Sequence, residues 1–148
     1  MEVELYLYSF QPKGEMPFLK VYLYVGAGGV VGSLLRYIIS LLTLQVWGNI
    51  FPFGTLTVNL IGSFVLGWFT KRLVLTRAIS SHLSSAIGTG LIGSFTTFST
   101  LSTEFLKLMQ SGDYYTLTLY AVISVMGGLI FASFGSRIGE YRKDGEEE

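Results

Sequence analysis

Residues 88–104 read GTGLIGSFTTFSTLSTE. All but the last, Glu104, lie within 26 consecutive uncharged residues that follow Arg77, and a helix needs roughly 20 apolar residues to cross a hydrocarbon core about 30 Å thick. The interval therefore holds one membrane crossing. Its centre, 88–100, sets glycines beside a run of hydroxyls at bilayer depth. Two structures satisfy that pattern. A continuous helix carries it if the Ser and Thr side chains bond back to the preceding turn. A break near 93–97 carries it only where protein, water or an ion satisfies the freed carbonyls, an arrangement from which transporters build ion sites.

Working outward, charge-free intervals define three further spans. A first apolar segment covers 18–43, with Lys20 at its start and a single charge farther in, Arg36. Between Arg36 and Lys71 stand 34 uncharged residues, too many for one span, and Trp47, Gly48, Asn49 and Pro52 supply a turn within them. The second span is expected over 52–70, and the fourth within the 23 uncharged residues between Asp113 and Arg137. The reading is an all-α integral membrane protein with four transmembrane helices. A lead-in (1–17) precedes the transmembrane domain (18–139), and an acidic tail (140–148) follows it.

Composition supports this and excludes much else. Of 148 residues, 50% are hydrophobic and only 14% charged, against about 25% charged in soluble chains. A soluble four-helix bundle fails because the outer faces of the segments lack charge. Strand-type alternation is absent, and membrane barrels need at least about eight strands. Disorder is excluded by hydrophobicity. A formal net charge of zero, with no basic stripe, gives no nucleic-acid surface. Cysteine is absent and histidine occurs once, so disulfides, thiolate chemistry and multi-histidine metal sites are impossible within one chain. Acids in the opening MEVELYLYSFQPKGEMP do not read as a cleaved leader.

Four polar features stand out against this apolar background. Asn59, near the middle of the second span, needs several hydrogen-bond partners in a medium without water; it is either an interhelical clamp or a pore-lining donor. Arg36 faces protein or a vestibule, or snorkels to the far interface. Glu104 follows the third span and reads as a residue of a mouth. Glycines spaced by four, as at Gly28 and Gly32, allow close helix approach and imply a compact bundle or an oligomer. His82 reads as interfacial.

Three segments together, GAGGVVGSLLRY, GTLTVNLIGSFVLG and GTGLIGSFTTFSTLSTE, resemble the CrcB/Fluc family of fluoride channels. The resemblance implies four-helix subunits assembled as antiparallel dimers, the third helix broken at mid-membrane, two narrow fluoride pathways and a sodium ion at the dimer interface. Carried onto this chain, it makes Asn59 the pore-facing amide and Phe98 an aromatic whose ring edge lines the path. Thr55, Thr97, Tyr120 and Ser124 become the polar track. Gly93 and Thr96 offer backbone carbonyls to sodium, and Arg36 and Glu104 lie toward the vestibules. Leu101 stands where the family commonly has a second phenylalanine. It keeps an apolar constriction but lacks an electropositive ring edge.

The implied activity is passive, selective export of cytoplasmic fluoride through the cell membrane, with no enzymatic step. The chemistry is consistent: amide and hydroxyl donors replace the water of a small hydrated anion, and release requires that binding not be too strong. One feature of the charge pattern opposes it. With four crossings, Lys13, Lys20, Lys71, Arg72, Arg77, Arg137, Arg142 and Lys143 share one side and only Lys107 lies opposite. The positive-inside rule then favours one orientation, termini in the cytoplasm, whereas an antiparallel homodimer needs both. The partner is a second copy in the opposite orientation or an oppositely oriented paralogue. The competing functions are a small four-helix proton-coupled cation or drug exporter, disfavoured because the first two spans hold no carboxylate, and a non-transporting assembly subunit.

Overall fold

The computed structural model describes residues 17–48 and 51–144. Regular structure among them is entirely helical. The expected lead-in lies outside the described residues except for Pro17, as do tail residues 145–148.

Helix α1 spans Pro17–Trp47, longer at both ends than the expected 18–43. Proline suits a first helical position, where its missing N–H costs nothing. At the other end Gly48 takes a left-handed φ of 64° and its N–H returns to the Leu44 carbonyl at 2.9 Å, a stop that residues with a Cβ rarely make. Helix α2 spans Phe53–Phe69 behind Pro52 and runs on as a π-helical turn, Thr70–Val74. A connection over 75–80 follows, with Arg77 at φ 53°.

The next stretch is built from pieces. Helix α3, Ser81–Ser85, is capped by Ser80, whose hydroxyl accepts from the Leu83 N–H. A π-helical run, Ala86–Ile92, leads into the single turn α4, Gly93–Phe95. Thr96 (ψ 159°) and Thr97 (φ −148°, ψ 123°) are extended. Helix α5, Phe98–Gln110, resumes beyond them. Gly112, at φ 75°, turns the chain, and the Asp113 carboxylate caps α6 by accepting the Thr116 N–H at 3.1 Å. Helix α6 runs over Tyr114–Asp144, through the expected tail boundary at 139/140.

Three helices are long and apolar enough to cross a membrane: Leu19–Trp47, Phe53–Val74 and Tyr114–Glu140. The interruption at Thr96 and Thr97 leaves no helix of that length in the third stretch. Direction is fixed by glycine contacts. Gly28 lies against the Ala86 carbonyl and Gly32 against that of Leu91, with Gly29 beside Ser94. Gly28 is flanked by Ala86 and Leu91, and Gly32, one turn on, by Leu91 and Phe95, so α1 and the α3–α4 stretch run parallel. Likewise Gly127 meets Leu60, Gly135 meets the Phe64 carbonyl, and Gly139 meets that of Trp68, so α2 and α6 run parallel. Gly54, beside Thr43 and Ser40, marks the antiparallel α1–α2 turn. The four stretches therefore alternate in direction.

These contacts are backbone to backbone. A Cβ at Gly32 or Gly135 would run into a carbonyl oxygen, so the small residue is what lets dispersion contacts form between main chains. The enclosed core is small, with Val58 and Tyr120 fully buried and Phe69, Ile92 and Phe95 nearly so. Outside it, Leu23, Val125 and Leu129 are 66%, 62% and 62% exposed. Such apolar surface costs about 25 cal/mol per Å² in water and nothing comparable in lipid.

Candidate functional site

The site centres on the extended residues between α4 and α5. The Thr96 N–H and hydroxyl both return to the Ile92 carbonyl, at 3.0 and 3.1 Å. The Thr97 N–H leaves the helical ladder and donates to Asn59 Oδ1 at 2.8 Å, while Asn59 Nδ2 donates to the Thr97 carbonyl at 3.0 Å. The amide side chain thus meets Thr97 as a neighbouring strand would. One orientation of the amide satisfies both bonds, since a backbone N–H needs an acceptor and a carbonyl a donor. Thr97 also starts the next helix. Its hydroxyl accepts the Thr100 N–H at 3.2 Å and donates to Thr100 Oγ1 at 3.0 Å.

This rewiring frees carbonyls. The helical donor for Gly93 O would be the Thr97 N–H, now on Asn59; only the Thr96 hydroxyl remains near, at 3.5 Å. The donor for Thr96 O would be the Thr100 N–H, now on the Thr97 side chain. Two backbone oxygens relieved of helical donors suit a hard cation, which takes oxygen ligands. The residues present therefore fit sodium.

Beside the junction an open pocket of about 270 Å³ is lined by Asn59, Gly62, Ser63, Leu66, Thr96, Thr97 and Phe98. The second N–H of the Asn59 amide makes no hydrogen bond among the described residues. Phe98 is 80% exposed.

A second cluster joins three elements. Glu104 Oε1 accepts from the Thr55 hydroxyl at 2.8 Å and Oε2 from the Tyr120 hydroxyl at 2.7 Å. The carboxylate on α5 thus ties α2 to α6. The Tyr120 ring is held edge-on between Phe51 and Phe105, at centroid distances of 5.3 and 5.1 Å, favourable for ring quadrupoles. Glu104 and Thr55 also line a pocket of about 200 Å³ whose further polar groups come from Ser40, Thr43 and Thr100. One turn along α6 from Tyr120, Ser124 Oγ is buried without a partner, the one such side-chain atom among the described residues.

The structure thus brings Asn59, Thr96, Thr97 and Phe98 together around one pocket. Thr55 and Glu104 line another, and Tyr120 joins them by its hydrogen bond to Glu104. Arg36 is half-buried and lines neither pocket, with no side-chain hydrogen bond or ion pair among the described residues. Leu101, one turn into α5, also lines neither.

The family model for CrcB-like protein, Camphor Resistance (CrcB), matches residues 23–136. The chain belongs to the CrcB family. Three relatives illustrate the likeness. A protein of Bacillus cereus (strain ATCC 10987 / NRS 248), named fluoride-specific ion channel FluC 1, is 38% identical over 82% of this chain and 88% of its own. One from Desulfitobacterium hafniense (strain Y51), of the same name, is 43% identical over 74% of this chain and 94% of its own. One from Shewanella halifaxensis (strain HAW-EB4), named fluoride-specific ion channel FluC, is 46% identical over 76% and 89%. Family membership and three long apolar helices make this a multi-pass cell-membrane protein.

Sequence reading missed four polar contributors to the two pockets: Ser63 in the first, and Ser40, Thr43 and Thr100 in the second. Ser40 and Thr43 had a usable signal. They follow Arg36 at helical spacing, a polar edge on an apolar span. Thr43 even buries its hydroxyl, which donates to the Ile39 carbonyl at 2.9 Å. Thr100 was hidden within the hydroxyl run of 96–100.

Proposed function

We propose that this chain is a passive, selective fluoride channel that exports cytoplasmic fluoride. The observation that carries the reading is the Asn59–Thr97 junction, with an amide N–H to spare beside a pocket walled by Phe98. It stands in a chain whose relatives bear the name fluoride-specific ion channel. Fluoride moves past the Asn59 amide and the electropositive ring edge of Phe98 and then along the hydroxyls of α2 and α6. Ser124, whose hydroxyl has no partner among the described residues, accommodates the ion most readily. Thr55 and Tyr120 donate to Glu104 at rest, so fluoride takes their hydrogen bonds only in exchange with the carboxylate. This competition keeps binding weak enough for release. Leu101 supplies an apolar wall, and Arg36 draws anions toward a vestibule by long-range attraction.

The pores form in a dimer of two copies in opposite orientation, a reading that rests on family behaviour. The exposed Phe98 and the openness of its pocket favour a neighbouring chain there. The extended Thr96 and Thr97 then lie at mid-membrane, within a channel domain of 18–139. Gly93 and Thr96 of each copy hold sodium through their carbonyls. A bound sodium supplies positive charge that offsets repulsion between passing anions. Expression in a fluoride-sensitive bacterial host tests the function: the chain should restore growth in fluoride, and failure by a chain present in the membrane would contradict it.

A further inference from the structure

The face of α6 turned away from α2 carries a groove that the ion path does not use. Leu129, Ile130, Ser133, Phe134 and Arg137 line it, enclosing about 320 Å³. Leu129, Ser133 and Arg137 follow one another at helical spacing and so stack along one side; Leu129 lies about 12 Å below Arg137 at 1.5 Å per residue. Gly128, Gly135 and Gly139, which meet α2, occupy the opposite side. Ser133 is the small residue that forms the hollow between larger neighbours. Leu129, Ile130 and Phe134 are 62%, 60% and 58% exposed.

Arg137 ends 23 uncharged residues of α6 and so sits where the hydrocarbon gives way to headgroups. The nearest acid along the chain, Glu140, is drawn to Lys71 Nζ at 3.7 Å. Arg137 itself has no hydrogen bond or ion pair among the described residues. An available guanidinium stands at the head of a groove whose lower part is apolar. We propose that this groove docks an acidic phospholipid, with the phosphate on Arg137 and one acyl chain over Ser133 between Leu129, Ile130 and Phe134. Charge complementarity selects the headgroup: Arg77, exposed on the connection after α2, adds to the positive field at this end. The apolar floor excludes free phosphate as the natural occupant.

Native mass spectrometry of the full chain, titrated with phosphatidylglycerol and with phosphatidylcholine, tests this directly. Phosphatidylglycerol should be retained about fivefold more tightly, the difference expected from one basic residue at a membrane surface. Arg137→Gln should abolish the preference. Ser133→Trp, which fills the hollow and keeps the charge, should abolish retention. Arg137 is exposed, so its replacement leaves the helix packing in place. An unchanged preference in Arg137→Gln would overturn the proposal. So would variants that alter the number of chains per particle without altering lipid retention, which would assign the groove to a second copy of the chain.

Discussion

Asn59 and Thr97 are joined by two hydrogen bonds of opposite sense, Nδ2 to the Thr97 carbonyl at 3.0 Å and the Thr97 N–H to Oδ1 at 2.8 Å. The pairing lets the backbone leave the helix at Thr97 with that residue's own N–H and carbonyl both hydrogen-bonded. It also holds Phe98, the next residue, at the start of α5. One amide thus supports the chain's geometry and faces the candidate ion pocket.

Asn59→Ala should therefore damage both. It leaves the Thr97 N–H without a partner, which costs about 1–3 kcal/mol where water is absent, and takes one of two donors from the Thr97 carbonyl, which as the N-cap of α5 keeps its helical bond. A loss of about 1–3 kcal/mol in unfolding measurements on the purified protein is expected, with fluoride flux abolished. Asn59→Asp keeps an acceptor for the Thr97 N–H and, with the carboxyl neutral in this apolar setting, an O–H donor for the Thr97 carbonyl, and should destabilise by less than Asn59→Ala. Equal stability of wild type and Asn59→Ala would contradict the structural part of the role.

Phe98 separates function from folding. Its side chain is 80% exposed, so Phe98→Ile should leave the stability of a single chain nearly unchanged. Removing the ring edge should lower fluoride flux about fivefold to tenfold, the equivalent of one aromatic contact. Wild-type flux from this variant in liposomes would remove Phe98 from the path.

The Glu104 bridge makes a double-mutant prediction. Tyr120→Phe and Thr55→Val each delete one hydroxyl donor to the carboxylate. Bonds to charged acceptors contribute about 1.5–3 kcal/mol. Each substitution should destabilise wild-type protein yet cost much less on a Glu104→Gln background. Additive losses would mean that the carboxylate does not join the helices.

Glycine substitutions should divide by neighbour rather than by span. Gly32→Ala and Gly135→Ala drive a Cβ into carbonyl oxygens of Leu91 and Phe64, and overpacking of this kind costs about 1–3 kcal/mol. Gly26→Ala meets nothing within 4 Å, and at Gly93 the nearest atom is the Gly88 carbonyl at 3.6 Å. Both should be tolerated on thermal unfolding.

How much of this the sequence carried depends on the range of the interactions. The long helices were legible because hydrocarbon thickness sets the length of a charge-free run, and α1, α2 and α6 follow from it. The third stretch was not. Residues 88–104 alone left a continuous helix and a break equally open, since the extended backbone at Thr97 depends on an amide 38 positions away. The same holds for Glu104, which the charge pattern put at a mouth. Its partners lie 49 and 16 positions off, so only the packing of α2, α5 and α6 reveals the bridge. The π-helical run Ala86–Ile92 also escaped; it lies where Gly28 and Gly32, lacking side chains, let α1 come close to its carbonyls.

The central claim is that fluoride passes and other halides do not. Purified chain should be reconstituted in liposomes and efflux of fluoride and chloride followed side by side with ion-selective electrodes. The account requires rapid fluoride release with chloride retained. Equal release of the two ions, or no release from protein verified as folded and inserted, would contradict it.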